Sequence, residues 1–271
     1  MGAPAWLPTL IKKAFPYRYQ IARLSKIPLI AAAMHKTIFN GDDMIFLPKD
    51  RVVVEQSVAQ PGSTVLPAAL VDHFIRAASH RWIMDFCICR EGDDCQAYPH
   101  DLGCIFLGEA VQKINSSLGH LASVEETLAH AHRATQLGLV HLIGRDRIDN
   151  LWTGATPFGK LMTICHCCPC CCLFRILPDL DPVNRAKVVR MPGVSVWVEE
   201  DECQGCGTCL QEGCFVQAIE MTGSTAQISA ECRGCGRCVE ACPHGAIHLA
   251  IADSGFLQTQ IERISGLVNV A

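Results

Sequence analysis

Eight cysteines in the C-terminal part of the chain repeat a spacing that can hold metal clusters. Cys203, Cys206 and Cys209 stand two residues apart and Cys214 follows, and Cys232, Cys235 and Cys238 repeat this spacing before Cys242-Pro243. A cubane [4Fe-4S] cluster needs one thiolate on each of four irons. A C-x2-C-x2-C loop can point three sulfurs at one centre, so the fourth ligand must come from elsewhere. Zinc ribbons are the alternative, but they would use C-x2-C pairs without a third cysteine.

The repeat resembles the bacterial two-cluster ferredoxin family, in which the fourth cysteine of each motif binds the other motif's cluster. The resemblance covers about sixty of the 271 residues. It implies electron transfer through two [4Fe-4S] clusters. One would be held by Cys203, Cys206, Cys209 and Cys242, and the other by Cys232, Cys235, Cys238 and Cys214.

Glycines inside both motifs are expected to support the clusters. Gly205, Gly207, Gly234 and Gly236 allow unusual backbone angles and can aim N–H groups at sulfur. The first motif departs from the family in two ways: four residues rather than three separate Cys209 from Cys214, and Phe215 replaces the usual proline. We therefore expect a shifted loop and a different reduction potential there.

Ten further cysteines form two groups in the N-terminal part. They are Cys87, Cys89, Cys95 and Cys104, and then Cys165, Cys167, Cys168, Cys170, Cys171 and Cys172. Adjacent thiolates repel one another unless a metal neutralises them, so we interpret these groups as one or two additional iron-sulfur clusters. Neighbouring cysteines point in different directions, so the run 170–172 is expected to straddle two clusters or to hold a larger one. Ordinary packing and zinc remain alternatives, since Cys167-x2-Cys170 and Cys168-x2-Cys171 have zinc-like spacing.

The stretches around Cys87–Gly108 and Thr163–Phe174 resemble uncharacterised iron-sulfur proteins of anaerobic bacteria, which implies a cofactor type only. His166 is interpreted as a hydrogen-bonding neighbour of the clusters or an exposed residue rather than a ligand. Four cations lie near the cysteines in sequence and are expected either to offset cluster charge or, for most of them, to be solvated: Arg90, Arg145, Lys160 and Arg175.

Composition indicates a core-forming protein of a reducing, oxygen-poor cytoplasm. The eighteen cysteines are clumped rather than evenly spaced, which is unlike a secreted disulfide framework. The net charge is −4, which does not favour nucleic acid as a partner. Residues 1–41 contain six Lys or Arg residues and no Asp or Glu, interleaved with aromatic residues. This basic aromatic arm could pack on its own domain or on a partner, or bind the anionic inner face of a membrane as a peripheral contact.

Sequence patterns predict an α+β fold with a larger mixed cysteine-rich domain and a C-terminal ferredoxin-like two-cluster domain with a pseudo-twofold repeat. The predicted parts are an arm at 1–41, the cysteine-rich domain at 42–176, a linker at 177–193, the ferredoxin domain at 194–252 and an amphipathic tail helix at 253–271. Within them we predict strands at Met44–Leu47, Arg51–Glu55 and Leu139–Ile143. We predict helices beginning at Pro67 and spanning Ser123 to Leu137, the latter with a capping box of Ser123 and Glu126.

Two functions fit these patterns. The first is an electron-transfer protein or subunit that exchanges single electrons with a partner redox protein, such as a flavoprotein or a quinone-linked complex. The second is a reductase whose N-terminal iron-sulfur site reduces a substrate of the disulfide type, with His100, His166 and Tyr98 as candidate proton donors. No nucleotide-binding motif is present in the sequence, so flavin or nicotinamide chemistry would have to come from a partner.

Overall fold

A computed structural model describes residues 2–4, 6–57, 67–251 and 255–271 of the chain. The α-helices in these ranges are α1 (Leu7–Ala14), α2 (Arg18–Leu24), α3 (Pro28–Thr37), α4 (Asp50–Ser57), α5 (Ala68–Ala77), α6 (Ile88–Gly92), α7 (Val124–Gln136), α8 (Arg147–Thr153), α9 (Pro182–Arg185), α10 (Arg237–Ala241) and α11 (Phe256–Ser265). The strands are β1 (Asp43–Phe46), β2 (Arg81–Met84), β3 (Ile105–Leu107), β4 (Gly119–Leu121), β5 (Val140–Arg145), β6 (Met162–Cys167), β7 (Val188–Arg190), β8 (Val194–Val198), β9 (Ile219–Thr222), β10 (Thr225–Ile228) and β11 (Ile247–Ile251). This mixture agrees with the predicted α+β class.

Seven strands form one sheet in the order β4-β2-β3-β6-β5-β1-β7. All neighbours are antiparallel except β1 and β7, which are parallel. Ile45 of β1 pairs with Ile143 of β5, and Ile143 pairs with Ile164 of β6 on the other side; all three side chains are fully buried. This part of the core therefore lies on β1, β5 and β6, and β6 also carries Cys165 and Cys167.

The C-terminal part adds two small sheets. Strand β8, at the start of this part, pairs with β11 at its end. Between them in the sequence, β9 and β10 pair as a hairpin. Cysteine loops connect these strands, so each loop is fixed at both ends by paired backbone.

Several predicted elements are confirmed. The predicted strands at 44–47 and 139–143 correspond to β1 and β5, and the helix after Pro67 begins at Ala68. In α7, the Ser123 hydroxyl accepts a hydrogen bond from the Glu126 N–H at 3.1 Å, as an N-cap should. The Glu126 carboxylate bonds His120 instead of returning to Ser123, so half of the predicted capping box forms.

The strand predicted at Arg51–Glu55 is wrong, because these residues belong to α4. Three consecutive valines favour a strand, but packing decides conformation when β-branched side chains find buried partners. Val52 and Val53 are buried, and Val52 lies against Gly236. Asp50 in the first turn suits the positive end of the helix dipole.

Residues 177–193, predicted as a linker with few structural signals, hold regular structure. They contain α9 and the edge strand β7, which hydrogen-bonds to β1. Asp181 caps α9, and Leu177 and Met191 are buried. The segment thus belongs to the large sheet, while the domain boundaries themselves stay predictions.

The arm folds as three helices against the cysteine-rich part. The Arg18 guanidinium is buried and donates to both carboxylate oxygens of Asp93, and the Lys12 ammonium lies 2.6 Å from Glu91. Arg23 pairs with Asp179 at 2.9 Å. Half of the arm's six cations therefore bind acids of the same chain.

The tail helix α11 folds back on the large sheet. Its Arg263 pairs with Asp43 at 2.7 Å, and Ile264 and Val268 are buried. The Arg145 guanidinium donates to the Leu267 carbonyl at 2.9 Å. Residues 253 and 254 of the predicted tail lie outside the described residues, as does residue 252 of the predicted ferredoxin domain. Among the described residues, no helix combines the length and the apolar character that a membrane span requires.

Candidate metal centres

The first C-terminal site lies at the protein surface. Its cavity is lined by Cys203, Cys206, Cys209 and Cys242. This is the ligand set that the ferredoxin resemblance implies, including the remote cysteine from the second motif. Cys206 is exposed, and a hydrogen bond with the Thr208 hydroxyl lowers the pKa of its thiol. The Ala226 N–H points at the Cys203 sulfur from 3.5 Å.

The second C-terminal site is buried. Its cavity is lined by Cys214, Cys232, Cys235 and Cys238. Backbone N–H groups point at its sulfurs: Gly234 donates to Cys232 at 3.3 Å, and Ala218 donates to Cys214 at 3.1 Å. Burial raises the pKa of the Cys235 thiol to about 11, against the opposing effect of the Arg237 charge. A buried thiolate therefore needs compensating positive charge, which a bound iron cluster provides.

Glycine conformations in both motifs agree with the prediction. Gly205, Gly207, Gly234 and Gly236 have φ values between +65° and +82°, where a side chain would be strained. At Gly234 this conformation accompanies the N–H···S contact to Cys232. A Cβ there would also lie 2.8 Å from Arg190 and 2.9 Å from Val194.

The extra residue of the first motif is absorbed by a π-helical turn. Residues Cys209–Gly213 form this turn, whereas the equivalent part of the second motif is the α-helical α10. A π-turn holds one more residue than an α-turn over the same rise. The longer spacing can therefore present Cys214 to the second site while Cys209 stays at the first.

Phe215, the other departure from the family pattern, anchors the C-terminal part to the large sheet. Its ring is buried and lies 4.9 Å from the Phe46 ring, which also contacts Phe174 edge-on at 6.0 Å. A proline at position 215 would not provide this aromatic contact.

Four of the ten N-terminal cysteines form a compact group, and the other six interact with one another. The six-cysteine set consists of Cys87, Cys89, Cys104, Cys165, Cys167 and Cys172. Within it, the sulfurs of Cys104 and Cys165 are 3.5 Å apart. Hydrogen bonding from the Cys89 thiol lowers the pKa of Cys87 to about 6, with help from Arg90 and against burial.

The remaining group is the four-cysteine set, which comprises Cys95, Cys168, Cys170 and Cys171. All four sulfurs lie within 4.8 Å of one another. The run 170–172 is thus divided, with Cys172 in one set and its two neighbours in the other.

Strand β6 places Cys165 and Cys167 together in the six-cysteine set. Side chains alternate between the two faces of a strand, so Cys165 and Cys167 share one face. His166 points to the opposite face, where its Nδ1 lies 3.0 Å from His141 Nδ1 in a buried contact. Burial lowers the pKa of both imidazoles, that of His141 to about 4. His166 is therefore a buried hydrogen-bonding residue, the first of the two roles that its position in the sequence suggested.

Two buried arginines lie between the sites. Arg90 is 1% exposed and donates to the His166 carbonyl at 2.9 Å and to the Leu102 carbonyl. Burial lowers its pKa, but the nearby thiols of Cys87 and Cys168 raise it, and the net shift is upward. Arg90 thus lies beside members of both sets, and Cys168 of the four-cysteine set also lies near Cys172 of the six-cysteine set.

Arg237 is the other of these two buried arginines, and it lies between the second C-terminal site and the six-cysteine set. It is 7% exposed and donates to the Cys167 carbonyl at 2.5 Å. Its charge also favours the thiolate forms of Cys172 and Cys235. Sequence reasoning missed Arg237 and placed Arg90 among mostly solvated cations, because the burial of both depends on distant strands.

The other cations near the cysteines have different surroundings. Arg175 donates to the Cys170 carbonyl, and Arg145 donates to the Gly41 and Leu267 carbonyls. Lys160 lies 3.5 Å from Glu109. Arg90 and Arg175 therefore contact the cysteine loops, whereas Arg145 and Lys160 contact other parts of the chain.

An apolar cavity of about 290 Å³ lies between the arm and the six-cysteine set. Cys89, Cys104 and Cys165 lie on its wall, and these three are the partly exposed members of the set. The opposite wall is formed by apolar residues of the arm helices, including Phe15 and Ala22.

Two carboxyl groups also face this cavity. Burial raises the pKa of both Asp146 and Asp149, and the negative charges of Asp149 and Asp42 raise the pKa of Asp146 further. The proton-donor candidates from the sequence, His100, His166 and Tyr98, are all within the described residues and do not line the cavity.

Comparison with known families supports the cofactor type. The 4Fe-4S binding domain family matches residues 227–248, which contain all four cysteines of the second motif. No curated protein matches the chain. The chain is therefore an iron-sulfur protein with at least one [4Fe-4S] cluster. The two C-terminal donor sets fit such a cluster, because each offers four thiols around one cavity with at least one backbone N–H group aimed at sulfur.

Proposed function

We propose that the protein transfers single electrons through two C-terminal [4Fe-4S] clusters and an additional N-terminal iron-sulfur site. When bound, such clusters take up and release one electron each. The observation that carries the proposal is the succession of sites. It begins at exposed Cys206, continues through the buried second site and reaches the six-cysteine set across Arg237.

The protein groups between these sites favour a continuous path. Burial and the nearer thiols of the second site raise the pKa of Cys238. The charge of Cys209 in the first site adds a smaller contribution, which shows that the two sites are close together. From the second site, Arg237 contacts Cys167 of the six-cysteine set directly. Cys209, Cys238 and Cys167 all belong to one apolar core cluster, which joins the three sites.

Iron and sulfide counting tests this proposal. Anaerobically prepared protein should contain about 8 iron and 8 sulfide for the C-terminal sites, and more for the six-cysteine set. Cys235→Ala should lose about four of each, while Ser224→Ala, a surface change in the same part of the chain, should lose none. Protein without acid-labile sulfide, or a count unchanged by Cys235→Ala, would contradict the proposal.

We also propose a second candidate function, reduction of a small apolar substrate beside the six-cysteine set. The supporting observation is the apolar cavity, whose wall includes three partly exposed thiols of this set. Reducing a disulfide to two thiols takes two electrons and two protons. The succession of sites could deliver the electrons one at a time, and Asp146 and Asp149 are the carboxyl groups on the wall.

A cavity-filling variant tests this candidate. Ala22 is 1% exposed and lines the cavity from the arm, so Ala22→Phe should fill space without touching a thiol. A small aromatic disulfide should change the low-temperature EPR spectrum of reduced wild-type protein, and this change should disappear in Ala22→Phe at equal iron content. The absence of any disulfide-dependent change in wild-type protein would leave electron transfer as the function.

The outer surface of the arm is proposed as a peripheral contact for an anionic membrane or a redox partner subunit. Large apolar side chains are exposed there, among them Trp6 at 63% and Leu29 at 84%. Lys13, Lys26 and Lys36 are exposed on the same arm. Apolar groups combined with lysines suit the interface of an anionic bilayer.

A further inference from the structure

The four-cysteine set is too compact for a cubane cluster. All four of its sulfurs lie within 4.8 Å of one another. A tetrahedral ion with metal–sulfur bonds of about 2.3 Å separates its sulfurs by about 3.8 Å. In a cubane the irons and sulfides lie between the ligands, which raises this separation to roughly 6 Å.

The same distances distinguish this set from the two C-terminal sites. All eight C-terminal ligand cysteines are among the described residues, and neither of their sets meets the 4.8 Å limit. Within one structure, the sites that fit [4Fe-4S] clusters are therefore wider than the four-cysteine set. The difference follows from how the chain positions the thiols rather than from the number of cysteines.

The local backbone also favours a single ion. The sequence Cys168-Pro169-Cys170-Cys171 places two cysteines at C-x2-C spacing. The Cys171 N–H donates to the Cys168 sulfur at 3.3 Å, which closes the loop around that sulfur. C-x2-C pairs of this kind are typical ligands of structural zinc.

The surroundings are suited to a closed, anionic site. Cys95, Cys168 and Cys171 are buried, and Leu102 and Leu139 pack around them. Four thiolates around a divalent ion leave a net charge of −2, and the guanidinium of buried Arg90 lies beside Cys168. No open position for a substrate is needed at such a site.

We infer that Cys95, Cys168, Cys170 and Cys171 bind one tetrahedral metal ion of the zinc type rather than an iron-sulfur cluster. The ion would join the loop after α6, which carries Cys95, to the loop after β6. That second loop also carries Cys172 of the six-cysteine set, so the ion would hold one cluster ligand in place. This inference goes beyond electron transfer, which does not require it.

Metal and sulfide analysis of the whole chain tests the inference. Protein expressed with both iron and zinc should contain about one zinc per chain, and zinc K-edge EXAFS should show four sulfurs at about 2.3 Å. Cys95→Ser should lose the zinc while iron and acid-labile sulfide stay at the wild-type level. Cys89→Ser, the matched change in the six-cysteine set, should lose iron and sulfide and keep the zinc.

Two results would overturn the inference. One is wild-type protein without stoichiometric zinc, which needs no variant to be folded. The other is a loss of about four iron together with four sulfide in Cys95→Ser, because a mononuclear ion contributes no sulfide. Either result would leave the C-terminal clusters, and therefore electron transfer, unaffected.

Discussion

Replacing Arg237 with methionine should lower the reduction potentials of the two sites that flank it. The guanidinium is buried, contacts the Cys167 carbonyl at 2.5 Å and favours the thiolate forms of Cys172 and Cys235. Reduction adds a negative charge to a cluster, so a nearby cation stabilises the reduced form. At an effective dielectric constant of about 20 and a distance of about 8 Å, one unit charge contributes about 2 kcal/mol. For one electron this equals about 90 mV, since about 59 mV corresponds to a tenfold change in equilibrium constant.

EPR-monitored redox titration of wild-type and variant protein measures this effect. Arg237→Met keeps much of the apolar stem, so we expect a fall of up to about 90 mV at each flanking site. Arg237→Lys keeps the charge and should shift the potentials by less than half as much. Arg133→Met, at an exposed pair with Asp101, is the distant control. Equal shifts in the methionine and lysine variants, or unchanged potentials in Arg237→Met, would refute the electrostatic argument.

Three further predictions concern stability and surface contacts. Burial raises the pKa of Asp42 from 3.8 to about 7, so its contribution to stability is present below pH 3.8 and is lost as the pH rises towards 7. Asp42→Asn should therefore raise the free energy of unfolding at pH 8 by at most about 4 kcal/mol. Thermal melts should show that this gain in stability shrinks as the pH falls towards 5, and a gain that does not depend on pH would contradict the prediction. Arg18→Met removes the buried partner of Asp93 and should speed proteolytic cleavage within the arm, whereas unchanged cleavage would mean that this pair does not hold the arm. Leu29→Asp should reduce flotation with anionic liposomes at unchanged iron content, and equal flotation of both proteins would remove the membrane proposal.

Local signals in the sequence predicted some parts of this fold correctly. The N-cap of α7 and the strand β5 were predictable because Ser123 and a short apolar run act within a few residues. The helix α4 was not, because its valines are buried by contacts with the C-terminal part. Propensity favours a strand there, and only the tertiary contacts reverse it.

The cysteine groups show the same limit. The two C-terminal sets follow from a motif with a known remote ligand, and the structure brings both sets together as that motif implies. The division of the N-terminal cysteines depends on β6, which sends Cys165 and Cys167 to one face, and on loops that bring Cys95 to Cys170 from 75 residues away. Spacing alone could suggest that the 170–172 run is shared, but not which thiols share it.

Low-temperature EPR of the fully reduced protein tests the central claim most directly. Two paramagnetic [4Fe-4S] clusters in adjacent C-terminal sites should give a spectrum broadened and split by their magnetic interaction. Cys235→Ala should remove this splitting, because the cluster at Cys203, Cys206, Cys209 and Cys242 then has no C-terminal neighbour. A single uncoupled cluster in wild-type protein, or no iron-sulfur signal after anaerobic reduction, would contradict electron transfer through this pair.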